Sequence, residues 1–369
     1  MSLAELEPAY GSALRGAADA GTAQGRVARR GAASAAGIAA GSRRGISAVM
    51  RSNRRRLVII ALLAIAACAL YMTIGVNFAK PKLMNYSLSI RAPKLAAMLI
   101  TALAIGGATV VFQSIIRNNI VTPCLLGMNS LYTLVHTAIA FVIGTGSALV
   151  LNENLSFAID LAVMVVASML IYGWLFEKTH YNVLYVLLIG TVLTSLFGSI
   201  QSTLVRVMDP NEYETLLTQL VASFSDVNAS VIVASVVVLA LVVLWLRHDL
   251  ALLDVITLGK DQAINLGVDY DRTIRRLLLG VTLAIAVATA LVGPISFLGL
   301  IIANLSRQFL KTYRHTYLVA GSALFGMVAL VAGQLVSERV FHYLVPVSTF
   351  VSIVGGVYFL VLLLTTKRS

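Results

Sequence analysis

The side chains able to do chemistry are few and scattered. His136, His180, His248, His315 and His342 fall in different apolar runs and loops, and no two share a metal-ligand spacing. Cys68 and Cys124 lie far apart in apolar runs, as small packing residues do, and outline neither a disulfide framework nor a metal knuckle. Asp160 lies within an apolar run, where an ion-coupled carrier would keep a carboxylate, and is a candidate for a transport role. Gly259-Lys260 is followed by Asp261 with no glycine loop before it, so the phosphate-cradling G-x-x-x-x-G-K-[ST] pattern is missing. No nucleophile–base pair stands out. The expectation is a non-enzyme with no catalytic residue, no metal site and no cofactor.

The elements that must carry these residues are membrane helices. Of 369 residues 59% are hydrophobic and 12% charged, with a mean hydropathy of +0.89; soluble domains carry about 25% charged residues. The net charge of +12 is uneven: residues 1–56 hold ten arginines and three acids, a balance of +7. A basic tail can bind nucleic acid, but Arg51, Arg54, Arg55 and Arg56 abut an apolar run, and the positive-inside rule accounts for them with the tail in the cytoplasm. Residues 1–52, mostly Ala, Gly, Ser and Arg, are expected to form a disordered basic cytoplasmic tail, the part before Met50 being dispensable or a mis-assigned start, and 53–369 the transmembrane domain.

A membrane helix needs about 20 mostly apolar residues. Such runs fall near 57–77, 95–116, 124–143, 155–176, 182–205, 229–246, 274–292, 296–310, 316–336 and 346–364. The seventh and eighth come from one uncharged stretch divided at Gly293-Pro294. The expected fold is an all-α polytopic membrane protein of about ten transmembrane helices with both termini cytoplasmic, the richer set of Lys and Arg then lying inside. Between the fifth and sixth spans lies a polar segment, 206–228.

Three stretches occur in a familiar order: "RAPKLAAMLITALAIGGATVVFQSIIRNNIVTPCLLGMNS" (91–130), "LGKDQAINLGV" (258–268) and "GPISFLGLIIANLSRQFL" (293–310). Together they resemble the FecCD-type ABC importer permeases, which take up iron–siderophore, haem and cobalamin, and most of all their catecholate-siderophore branch. Lys94, Asn119-Ile120 and Ala303-Asn304 depart from that family's Arg, Pro-Leu and Pro-His.

The resemblance implies a transmembrane permease subunit of an ATP-driven importer, translocating an iron–siderophore complex across the cell (inner, cytoplasmic) membrane. It implies ABC ATPase subunits, a substrate-binding (lipo)protein and a second permease as partners. The 208–228 loop favours a non-identical second permease. The insert between spans six and seven is implied to form two short cytoplasmic helices that fit a cleft of the ATPase. Leu258, Ala263, Ile264, Leu266 and Val268 would supply its apolar contacts, with Gly259 and Gly267 allowing close approach and a sharp turn. On the outer face Arg91, Lys94 and Arg339 match positions that pair with acids of the binding protein; headgroup snorkelling is the competing reading. Thr191, Thr194, Ser195, Ser199, Gln201 and Ser202 give span five a polar side, suited to a solute path between two permeases or to hydroxyl–backbone packing. The alternatives are a self-contained secondary carrier, which would need midplane ion sites in matched broken helices, and a channel-like protein, which would need a filter loop; neither feature is readable.

Overall fold

The structure, a computed structural model, describes residues 51–76, 79–144, 147, 152–179, 183–224 and 227–366. Residues 1–50 of the expected tail, His180 and the terminal Lys367-Arg368 lie outside the described residues. The chain divides into Met1–Arg55 and Arg56–Ser369, and of the first unit only residues 51–55 are described.

Among the described residues the chain is helical, with no strand. In order come α1 (Arg51–Thr73), α2 (Pro81–Ile116), a 3-10 turn (Pro123–Leu126), α3 (Met128–Ile143), α4 (Glu153–Lys178), α5 (Val183–Val207) and α6 (Pro210–Leu220). They are followed by α7 (Ala229–Ile256), α8 (Lys260–Asn265), α9 (Tyr270–Val292), α10 (Leu298–Leu310), α11 (His315–Arg339) and α12 (Val347–Thr366). By length and composition seven can cross a membrane: α1, α2, α4, α5, α7, α9 and α11. Three shorter apolar helices, in α3, α10 and α12, occupy the other expected runs.

The helix ends differ from the apolar runs for a physical reason: charge ends a membrane span but not a helix. α2 has 36 residues, about 54 Å at the α-helical rise, well beyond the ~30 Å hydrocarbon core. Pro93 lies inside it, yet the helix continues. α7 runs past Arg247, His248 and Asp249 to Ile256, and Asp249, 5% exposed, lies 3.9 Å from Arg276 of α9. The polar segment before α7 contains a helix, α6, started by Asp209, whose carboxylate accepts from the Asn211 N–H at 2.9 Å.

α2 and α9 are the centre of the bundle. In α2 67% and in α9 72% of the most apolar stretch is buried, against 11% in α5. α2 packs on α11, α9, α10 and α7. At Gly106 it meets the α11 backbone so closely that a Cβ would lie 3.1 Å from the Ser322 carbonyl carbon, the close packing expected of small residues between membrane helices.

The α9–α10 break is built by conformation. Gly293 has φ 86°, open to glycine, and a Cβ there would lie 2.9 Å from Ala222 Cα. The Ser223 N–H donates to the Val292 carbonyl at 2.9 Å, so the segment after α6 is pinned to the end of α9. Phe297, at φ 62°, sits before α10 and against Gly355 of α12, where a Cβ would come within 2.3 Å of the phenylalanine Cβ.

Candidate functional site

The insert between α7 and α9 holds one short helix, α8, not the two expected. Asp269 ends the insert by capping α9, its side chain accepting from the Arg272 N–H at 3.3 Å, so the second expected helix is the first turn of α9 itself. α8 is tied back by its own backbone: the Gly267 N–H donates to Ile264 O at 2.9 Å and the Val268 N–H to Ala263 O at 3.0 Å. Lys260 Nζ donates to both Asp271 carboxylate oxygens at 3.0 and 3.1 Å and lies 5.8 Å from the Tyr270 ring centre. That pair is half exposed, and contributes less than about 1 kcal/mol.

The insert presents an apolar surface. Leu258, Ile264 and Leu266 are 54%, 51% and 63% exposed, and Gly267, at φ 82°, has open space where a Cβ would stand. Val268 is half-buried. Ala263 is fully buried and holds α8 to the bundle rather than offering contact area. Gly259, at φ 127°, faces Arg117 at the end of α2, whose Nη2 would lie 3.0 Å from a Cβ there. The end of α2 is fixed in turn: Gln113 Nε2 and Asn304 Nδ2 donate to the Asn119 carbonyl at 2.7 and 2.9 Å. Asn119 and Asn304, two of the residues that depart from the family pattern, therefore meet in one contact.

The expected docking residues Arg91, Lys94 and Arg339 gather around the end of α1. Arg91 Nη1 donates to the Tyr71 and Ile74 carbonyls at 2.8 and 2.7 Å, and Arg339 Nη2 donates to Ile74 O at 2.7 Å. Two guanidinium groups thus satisfy carbonyls at a helix C-terminus, where positive charge is favoured. Glu338, 9% exposed, accepts from the Tyr71 hydroxyl at 2.9 Å and from Gln334 Nε2 at 2.8 Å. Burial, then the nearby Glu338 carboxylate, pushes the Tyr343 phenol above its ordinary range. Arg339 is exposed and Arg91 half-buried. Lys94 is only 9% exposed, with its ammonium 5.4 Å from the Tyr343 ring centre, so it is packed rather than free for a partner.

On α5 the hydroxyls turn back on their own helix. Thr191, Thr194, Ser195 and Ser199 donate to the carbonyls of Leu188, Gly190, Thr191 and Ser195 at 2.8–3.1 Å. Thr194 also packs on Gly127. Thr191, Ser195, Ser199 and Ser202 remain exposed beside Leu188, Val192 and Leu196, whereas Gln201 is half-buried. Asp160, the candidate carboxylate, is buried against His136 of α3, a pairing that a separation of 24 residues conceals in the sequence.

The model of the FecCD transport family matches residues 51–365. This chain belongs to the FecCD transport family. Among its relatives is the petrobactin import system permease protein YclO of Bacillus subtilis (strain 168), 37% identical over 317 residues, which span 86% of this chain and 99% of YclO. The petrobactin import system permease protein FatC of Bacillus anthracis is 31% identical, over 75% of this chain and 78% of FatC. A metal-chelate type ABC transporter in an inward-facing conformation shares the fold, with a TM-score of 0.71 at 23% identity over 85% of this chain and 99% of the other. This FecCD protein is therefore a multi-pass membrane permease, and the transport reading drawn from its motifs stands on that membership.

Proposed function

We propose that this FecCD permease is the membrane-spanning subunit of an ATP-driven importer that carries a ferric siderophore inward across the cytoplasmic membrane. Identity to YclO over nearly the whole of both chains carries this reading; the siderophore class follows the names of YclO and FatC. The termini would lie in the cytoplasm, with α8 on the same side. ATP would be hydrolysed by a separate subunit seated on Leu258, Ile264 and Leu266, an apolar centre with a polar rim of Lys260, Asp261, Asp269 and Asp271. A binding protein would deliver the chelate to the outer face, steered by Arg339 with Arg91 behind it. A second permease, non-identical, would cover the exposed faces of α5 and α12, where Ile353, Val354, Val357 and Leu360 are also uncovered. Exposed hydroxyls on α5 support a solute path there, and their bonds to the helix backbone make that path weakly polar rather than charged. The basic tail is proposed to be dispensable.

The test is reconstitution of the chain with its co-purifying partners in liposomes, followed by uptake of radioactive iron as ferric petrobactin, with ferric citrate and free iron as controls. ATP-dependent uptake of the ferric siderophore is expected. ATP-independent uptake driven by an ion gradient would overturn the importer reading, and ATP-dependent uptake of a different chelate would overturn only the substrate class.

A further inference from the structure

A cavity of about 350 Å3 lies where α3, α4, α6, α7 and the end of α9 meet. Among the described residues its titratable lining is Tyr132 and His136 from α3 and Asp160 from α4; α6 contributes Gln219, Asn228 stands just before α7 and Val231 within it, and α9 offers only apolar side chains. Two of these groups are buried yet polar: His136 is 7% and Asp160 4% exposed. The imidazole is gripped from both sides. Nδ1 lies 2.9 Å from Asp160 Oδ2, and Nε2 lies 3.2 Å from Gln219 Oε1. The Tyr132 ring stacks on it, 5.8 Å between centres at 17°. One ring therefore joins α3, α4 and α6.

Among the described residues the other attachments of α6 are mainly apolar: Leu216, with Met208 just before the helix, packs on Ala140 of α3, Leu220 packs on the main core, and the Ser223–Val292 bond pins the segment just beyond. Gln219 is the polar tie in the last turn of α6. Each ring nitrogen of His136 faces an oxygen, and an imidazole can donate from both nitrogens only when it carries two protons. A neutral ring that keeps its Nδ1 proton toward Asp160 turns a bare Nε2 lone pair toward the amide oxygen. Gln219 must then rotate its amide or move away, and its contact with the ring loses its charge assistance, whereas the Nδ1–H bond to Asp160 keeps an ionised acceptor. Thr218, Ser223 and Asn228 at the cavity edge are exposed, so bulk protons reach the ring.

We propose that His136, Asp160 and Gln219 form a proton-binding latch on α6, closed while the imidazole is doubly protonated and loosened when it loses one proton. His136 is thus a positioning residue, acting on the permease through α6. The inference goes beyond the transport reading, and its test contains neither solute nor partner.

The full chain in lipid nanodiscs is followed by hydrogen–deuterium exchange between about pH 6 and about pH 9, a range that spans ordinary imidazole titration. Rates are corrected for the intrinsic pH dependence of exchange. Protection of the amides of 213–220 is expected to fall about tenfold as the pH rises, the factor carried by a charge-assisted hydrogen bond. His136→Gln, which keeps a donor and an acceptor but does not titrate, is expected to remove the pH dependence. Gln219→Leu, which leaves the buried pair intact, is expected to give low, pH-independent protection in α6 alone. Wild-type protection that does not change with pH, or that changes equally in His136→Gln, overturns the latch.

Discussion

Asp254, on the last turns of α7, accepts from both the backbone N–H (3.0 Å) and the ring nitrogen of His315, the first residues of α11 being set directly against the helix that leads into the α8 insert. The carboxylate acts as a cap supplied from another helix, satisfying a donor that the start of α11 otherwise leaves open. With Arg117 over Gly259 and Arg276 near Asp249, it ties the base of the insert to α2, α9 and α11. The base of α8 is therefore anchored to the central bundle.

Asp254→Ala should leave the His315 amide and ring without this acceptor and destabilise the chain by about 1–3 kcal/mol. Asp254→Asn keeps one acceptor oxygen and should retain the backbone bond while losing the charge. Thermal unfolding of the purified chain in detergent is expected to rank wild type above Asn above Ala. Equal midpoints for all three would show that the cap contributes nothing measurable.

Ile264→Asp combined with Leu266→Asp places two charges on the exposed apolar patch of the insert. Neither side chain is buried in the permease alone, so folding and membrane insertion should be unchanged. Docking of the ATPase should weaken tenfold or more, on the order of the ~1.5–3 kcal/mol that burial of one such side chain supplies. Co-purification of the ATPase and its stimulated hydrolysis are the measurements, and normal stimulation would remove α8 as the coupling element.

Arg91 and Arg339 should separate into two roles. Arg91→Ala opens two carbonyl bonds at the end of α1 and should lower stability by about 1–3 kcal/mol. Arg339 is exposed and makes one such bond, so Arg339→Glu should fold and instead slow association of the binding protein. That effect should fade as salt rises. Stopped-flow association at low and high salt reads it, and a wild-type rate at low salt would leave Arg339 as a helix cap only.

Gly293→Ala should be poorly tolerated. The backbone there is left-handed and the added methyl meets Ala222, so a cost of about 1–3 kcal/mol is expected. Gly267→Ala shares the positive φ but has empty space around it, and should cost only the backbone strain of about 1 kcal/mol. Unfolding midpoints that do not separate the two would show that the Ala222 contact relaxes freely.

Composition and apolar run lengths were enough to determine a helical membrane protein and the positions of its spans, because a bilayer imposes one length and one satisfied backbone on any segment that crosses it. The three ordered motifs were enough for the family. Tertiary structure decided what single residues do. Ala263 looks like a contact residue and is buried; Lys94 looks like a free cation and is packed on Tyr343. α6 is hidden in a polar segment because a helix of 11 residues has neither the length nor the apolarity of a span. The pairs His136–Asp160, Asp254–His315 and Asn119–Asn304 join residues 24, 61 and 185 positions apart. No spacing rule connects such residues, since their proximity is set by which helices pack together.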